Sequence, residues 1–149
     1  MFYTELTKKA MNFAYQAHDG QIGKDGVPYF IHSFLVAEKV SAEYPNEELI
    51  AAALLHDVIE DTGVTLEELS EEFPSSVVTT VDVLTRRENE SYDDYISRVS
   101  QNVMAMKIKL ADIEHNSDLT RLDKVDDADI KRIRKYKRAT AELLCHLGF

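Results

Sequence analysis

Tryptophan is missing from this 149-residue chain, and cysteine occurs once, at Cys145. A single thiol rules out a disulfide within the chain and fits a reducing interior. A cytoplasmic location is therefore expected, with Cys145 packed near the C-terminus. No run of about 18 apolar residues is present, which excludes a membrane-spanning helix. The N-terminus also lacks the basic-then-apolar pattern of a secretory leader. Proline (three) and glycine (five) are scarce, and three of the glycines fall between Gly20 and Pro28, so that stretch reads as the main loop. Repeats, low-complexity segments and linker-like stretches are absent, and residues 1–149 are expected to form one domain. Positive charge is in deficit: 17 Lys and Arg against 27 Asp and Glu leave a net charge of −10. An acidic surface argues against nonspecific binding to nucleic acid or membrane. It leaves an anionic small molecule open, because a metal ion and a few local cations invert the field at one site.

What is present is helical periodicity. Thr4 caps a first helix carrying Leu6, Ala10, Phe13, Ala14 and Ala17, closed near His18 by Asp19-Gly20. A second begins at Ile31 or His32 and carries Phe34, Leu35, Val36, Ala37 and Val40. Asn46 caps a third, with Glu47 and Glu48 favouring its dipole. It runs through Ala51-Ala52-Ala53-Leu54-Leu55 and on to a stop at Thr62-Gly63. Thr65 to Glu68 is a capping box for a short fourth helix. Pro74 opens a fifth; its Val77, Val78 and Val81 also suit a strand, but the spacing to Leu84 favours helix. Ser91 and Asn102 cap a sixth and a seventh. A polar connection, Leu122 to Asp129, overlaps the start of the last helix, about Asp127 to His146, with Ile130, Ile133, Tyr136, Ala139 and Leu143 inward. The expected fold is all-α, a bundle of about eight helices.

One stretch carries chemistry: Leu54-Leu55-His56-Asp57-Val58-Ile59-Glu60-Asp61-Thr62. At about 3.6 residues per turn, His56 lies above Glu60 and Asp57 above Asp61, with Leu55, Val58 and Ile59 behind. Three carboxylates this close repel one another, burial makes this worse, and a bound cation relieves it. Oxygen ligands beside imidazole suit Mn, Fe or Zn. A solvated acidic helix end would carry the same residues, but the apolar run leading into them marks a core helix. A metal held in fixed geometry needs ligands from further elements. His32, opening the second helix, and Asp112, in the interior of the seventh where Asp is a poor helix former, are the candidates. Lys109, Asp112 and Asn116 share a face; without a metal this is a surface ion pair of little worth. His18 reads as a core or helix-end residue, His115 as packed behind Asp112, and His146 as a helix-end residue without function.

In order along the chain come Ala17-His18-Asp19-Gly20-Gln21, Pro28-Tyr29-Phe30-Ile31-His32, the stretch from Ala53 to Thr62, and Lys109-Leu110-Ala111-Asp112-Ile113-Glu114-His115-Asn116. Together they resemble the HD superfamily of metal-dependent phosphohydrolases, and within it the hydrolase domain of RelA/SpoT-type alarmone enzymes in their small single-domain form. The resemblance covers nearly the whole chain. It implies an HD-domain helical bundle with one divalent ion, typically Mn2+, held by His32, His56, Asp57 and Asp112. It makes Glu60 and Asp61 the catalytic pair that orients or deprotonates the attacking water and handles the leaving-group proton. Lys24 and Asn116 match positions that contact the nucleotide. The implied reaction removes the 3′-pyrophosphate of guanosine 3′,5′-bis(diphosphate), ppGpp, a small-molecule substrate, with no nucleic-acid or membrane partner.

Two arginines of that family pattern are absent. Gly-Gln-x-Arg-Lys is here Gly20-Gln21-Ile22-Gly23-Lys24, and Asp-Arg-x-His-Asn is Asp112-Ile113-Glu114-His115-Asn116. Arginine supplies a planar fork of donors that Gly and Ile lack, so both changes bear on substrate recognition and spare the implied metal ligands. Arg86, Arg87, Lys107 and Arg121 are the candidate replacement cations. Two rival readings follow: metal-dependent hydrolysis of a different nucleotide or phosphoester, and a non-catalytic nucleotide-binding module on the same fold.

Overall fold

The computed structural model describes residues 2–149, and every regular element among them is a helix. In order these are α1 (Glu5–Ala17), α2 (Phe30–Glu43), α3 (Glu47–Leu55), α4 (Val58–Asp61), α5 (Leu66–Glu72), α6 (Ser75–Leu84), α7 (Tyr92–Val99), α8 (Val103–Asn116), a 3-10 turn (Leu119–Arg121) and α9 (Asp127–His146). None of the described helices is long and apolar enough to cross a membrane.

The bundle is organised around α3. Each residue from Leu49 to Leu55 is 3% exposed or less, and a helix apolar on every side has to be surrounded. α1, α2 and α6 pack against it, α8 closes over α2, α3 and α6, and α9 lies along α7 and α8. Small residues permit the close approach: Ala10 and Ala14 on α1, and Ala51, Ala52 and Ala53 on α3, are fully buried. α6 is helical despite its β-branched run. Pro74 sets its start, and Val77, Val81 and Leu84, at helical spacing, are buried where α6 meets α3, so packing overrides intrinsic strand preference.

The third helix does not run on to Thr62 as its periodicity predicts. It stops at Leu55, and the four-residue α4 follows after His56 and Asp57. The cause is local. His56 Nδ1 donates to the Ala53 carbonyl at 2.6 Å, while the His56 amide reaches that same oxygen only at 3.4 Å. Asp57 adopts φ −106°, ψ 0°, and the helical ladder restarts with the Asp61 amide on the Asp57 carbonyl at 2.9 Å. His56 and Asp57 thus share a junction between two helices and do not form two columns of one helix with Glu60 and Asp61.

Three smaller differences have simple reasons. α2 begins at Phe30, slightly earlier than expected. Cys145 is exposed, because α9 turns it towards solvent. Ile130 is 40% exposed in the first turn of α9, while Ala139 and Leu143 further along are buried as expected.

The loop between α1 and α2 is folded back on itself. Ile22 and Pro28 pair as an isolated antiparallel bridge, and the Tyr29 amide donates to the Gln21 carbonyl at 2.9 Å. Gly20 and Gly26, at φ +79° and +82°, take left-handed backbone at its two turns. The loop holds Tyr29 over the α3–α4 junction, where its hydroxyl donates to Asp57 at 2.7 Å.

Candidate metal centre

One donor atom from each of His32, His56, Asp57 and Asp112 lies within 4.8 Å of the other three. They arrive from α2, from the α3–α4 junction and from α8. His32 Nε2 stands 2.8 Å from Asp112 Oδ1 and 3.7 Å from Asp57 Oδ2; His56 Nε2 stands 3.1 Å from Asp57 Oδ2 and 3.5 Å from Asp112 Oδ1. Two imidazoles and two carboxylates, brought together with little contact with solvent, form a donor set compatible with a divalent metal ion.

The surroundings of each donor fit that use. With His56 Nδ1–H committed to the Ala53 carbonyl, its buried Nε2 is left without a hydrogen-bond partner. When His56 is neutral, that bond selects the tautomer whose bare Nε2 faces the centre of the group. His32 Nδ1 lies 2.7 Å from His115 Nδ1. Burial first, then the neighbouring His32 and Arg121, lowers the pKa of His115 to about 4. A neutral His115 accepts the His32 Nδ1 proton and leaves His32 Nε2 to face the group. Asp112 is divided: Oδ1 faces His32 and accepts from Asn116 at 3.1 Å, and Oδ2 accepts from Lys109 at 2.8 Å. Replacing His115 with Ala is expected to weaken divalent-ion affinity by about 10–100-fold, the usual effect of losing an outer partner. A metal titration monitored alongside far-ultraviolet dichroism checks this; unchanged affinity would remove His115 from the site.

Charge is balanced tightly here. Burial works to raise Asp57, but His56 outweighs it and holds the carboxyl at about 2. Burial likewise opposes the charges of Lys109 and Asp112. Their mutual attraction prevails, raising the lysine and, with the bonds from His32 and His56, lowering the aspartate. The Lys109–Asp112 pair is buried, so the alternative of a surface ion pair on this face does not hold. Its side chains are 13% and 7% exposed, because the ring of Tyr95 covers the ammonium at 5.2 Å.

Glu60 and Asp61 sit at the rim, open to water on one side and crowded by protein on the other. Burial, then the Asp57 charge, raises both pKa values; for Glu60 a hydrogen bond from the Arg86 amide at 2.8 Å works in the opposite direction. Beside His32 and Asn116 opens a cavity of about 200 Å³, walled by Lys24, Tyr29, Leu119, Arg121, Arg132 and Tyr136 among others. Lys24 and Asn116 therefore border the same space, although Asn116 also touches Asp112.

The candidate replacement cations divide. Arg121 is tied to Asp25 at 2.6 and 3.0 Å and to the His115 carbonyl at 3.0 Å. Arg87 is tied to Asp82, and Lys107 covers Tyr44 in a separate groove. Arg86 alone of the four adjoins Glu60. Arg132 and Tyr136 of α9 also line the cavity; Tyr136 lies on the apolar stripe expected of that helix, whereas Arg132 carries no such signal in the sequence. Gly23 also has a local cause. A Cβ there would meet Asp25 Oδ1 at 2.9 Å, so the Asp25–Arg121 pair occupies the room a side chain would need. Ile113 is 4% exposed and belongs to the core.

Comparison with known proteins agrees with this geometry. A family model described as HD domain matches residues 10–147. The chain is 37% identical over 146 residues to a guanosine-3′,5′-bis(diphosphate) 3′-pyrophosphohydrolase of Haemophilus influenzae, covering 91% of this chain and 21% of that protein. A protein of the same name from Aquifex aeolicus is 32% identical, covering 95% and 20%. A GTP pyrophosphokinase of Myxococcus xanthus is 34% identical, covering 75% and 17%. The chain thus spans about a fifth of the length of these curated relatives. A solved structure, described as a metazoan ortholog of SpoT that hydrolyzes ppGpp, superposes with a TM-score of 0.75 at 22% identity, covering 99% of this chain and 98% of that one. With its buried His and Asp group, its all-helical architecture and a match spanning nearly its whole length, the chain belongs to the HD domain family.

Proposed function

We propose that residues 1–149 act as one metal-dependent phosphohydrolase unit, and that its reaction removes the 3′-pyrophosphate of ppGpp. The observation that carries this reading is the buried His32, His56, Asp57 and Asp112 group bordered by the acidic rim pair Glu60 and Asp61. The names of the relatives support the substrate. We take the ion to be Mn2+ and the location to be cytoplasmic, the latter in keeping with the lone thiol. A divalent ion supplies Lewis acidity towards phosphoryl oxygens and lowers the pKa of water. The protein's own groups do the rest. His32, His56, Asp57 and Asp112 set the position of that ion. Glu60, kept basic enough by burial and by Asp57 to take a proton, deprotonates the attacking water, and Asp61 orients it. Lys24 and Asn116 hold the nucleotide in the adjoining cavity.

A second reading has its own support: the Asp25–Arg121 pair and Gly23 reshape the loop where the family pattern has an arginine. On that reading the chemistry is the same and the nucleotide differs. One experiment separates these readings. Purified protein loaded with Mn2+ is offered ppGpp and a panel of other phosphorylated nucleotides. GDP and pyrophosphate appearing fastest from ppGpp is the expected result. Preference for another nucleotide selects the second reading, and binding without turnover under any divalent ion reduces the protein to a nucleotide-binding module.

A further inference from the structure

Arg86 and Lys135 converge on one aromatic ring. Lys135 Nζ lies 4.2 Å from the centre of Tyr92, and the Arg86 guanidinium carbon lies 5.8 Å from it. Lys109 Nζ lies 5.2 Å from the centre of Tyr95, whose ring is 6.0 Å from Tyr92. Among the described residues, neither Arg86 nor Lys135 has a carboxylate within ion-pair distance; the Arg86 Nε donates only to the Glu90 carbonyl, at 3.0 Å. Burial lowers the pKa of Lys135, and the nearby charges of Arg86, Lys109, Arg132 and Lys24 lower it further. Cations gathered this way repel one another, on a chain whose net charge is −10. An anion placed among them removes that repulsion.

The patch borders the metal centre. The Arg86 amide holds Glu60, Lys109 holds Asp112, and Tyr136, whose ring is 6.4 Å from Tyr92, is also a wall of the cavity beside His32. The centre therefore has the cavity of about 200 Å³ towards His32 and Asn116, and this cationic patch towards Glu60 and Asp112.

We infer that Arg86 and Lys135, beside the buried Lys109–Asp112 pair, form a subsite for a diphosphate group, where the pyrophosphate produced by the reaction is held. The inference rests on the hydrolase reading above. In that reaction a water oxygen bonds to the phosphorus attached to the ribose 3′-oxygen. The bond from that phosphorus to the 3′-oxygen breaks, and the 3′-oxygen takes up a proton. Negative charge builds on the phosphoryl oxygens during this exchange and stays on the released pyrophosphate, so cations on this side serve both stages.

The probe is inorganic pyrophosphate, titrated calorimetrically into the Mn2+-loaded protein. Arg86 is exposed and Lys135 only partly buried, so both tolerate truncation. Arg86→Gln and Lys135→Gln are each expected to weaken pyrophosphate binding about tenfold, the loss of one charge-assisted contact, with metal content unchanged. Pyrophosphate affinity equal to wild type in the double variant would overturn the subsite, whatever the enzyme's turnover. Weakened affinity in the variants of a protein that cleaves no nucleotide would keep the anion site and reject the hydrolase reading instead.

Discussion

An Asp57→Asn variant should fold, carry almost no divalent ion, and hydrolyse its nucleotide at least about 10³-fold more slowly. The substitution keeps the shape of the side chain, and the amide oxygen still accepts the Tyr29 hydroxyl that now donates at 2.7 Å. It removes one of two carboxylates from a four-donor group. A divalent ion contributes several kcal/mol of transition-state stabilisation to phosphoryl transfer, and each 1.36 kcal/mol is about tenfold in rate. Elemental analysis of purified protein, followed by turnover with added Mn2+, measures both losses. Wild-type metal content in the variant would show that the ion is held elsewhere.

The same atoms make ion uptake depend on pH. Without an ion, burial opposes a charge on His56, but Asp57 and Asp112 prevail and hold its pKa well above the ordinary value. A raised folded pKa means that the proton stabilises the metal-free fold below about pH 6.5. That contribution is lost as pH rises through the folded value. Asp57 behaves in the opposite sense: held at about 2, it stabilises the fold above its ordinary value and loses this as pH falls towards 2. Coordination needs His56 Nε2 without its proton, so ion binding releases that proton and tightens with rising pH. Calorimetry in two buffers of different ionisation enthalpy reads the release directly; a difference of zero between buffers would remove His56 from the coordinating set.

Glu60→Gln separates the ion from the proton. The glutamine carbonyl still accepts the Arg86 amide, now at 2.8 Å from Glu60 Oε1, and no donor of the buried group is altered. Metal content and KM are expected to stay near wild type while kcat falls by about 10²–10⁴-fold, the range for loss of a general base. The raised pKa of Glu60 has a stability counterpart. Its contribution is present below the ordinary carboxyl value and is lost as pH rises through the folded one, so the ionised group works against the fold at neutral pH. The variant should accordingly be no less stable than wild type at pH 7. Full turnover in Glu60→Gln would assign the proton transfer to Asp61.

The grouping of His32, His56, Asp57 and Asp112 was legible through four ordered motifs and the family they resemble, whereas His32 taken alone reads as a structural residue. The helix ends were legible from Thr4, Asn46, Ser91 and Asn102, all of which cap as expected. The break after Leu55 was not, because apolar periodicity runs straight through it. It arises from one imidazole competing for one carbonyl, which no spacing records. The burial of Lys109 is hidden in the sequence for a related reason. A face drawn on one helix says nothing of the neighbour that covers it, here Tyr95 from α7. Lys135 and Arg132 carry no signal of their own, since charge on the outer side of a long helix ordinarily means solvent. Only the approach of α7 and of the 3-10 turn gives that side a purpose.

The kink between α3 and α4 places two adjacent donors directly on fully buried Leu55 and Val58. Their separation is therefore governed by how those two aliphatic residues are seated, not by any flexible segment. A change of volume at Leu55 or Val58 is therefore expected to move His56 and Asp57 relative to His32 and Asp112 without altering any of the four.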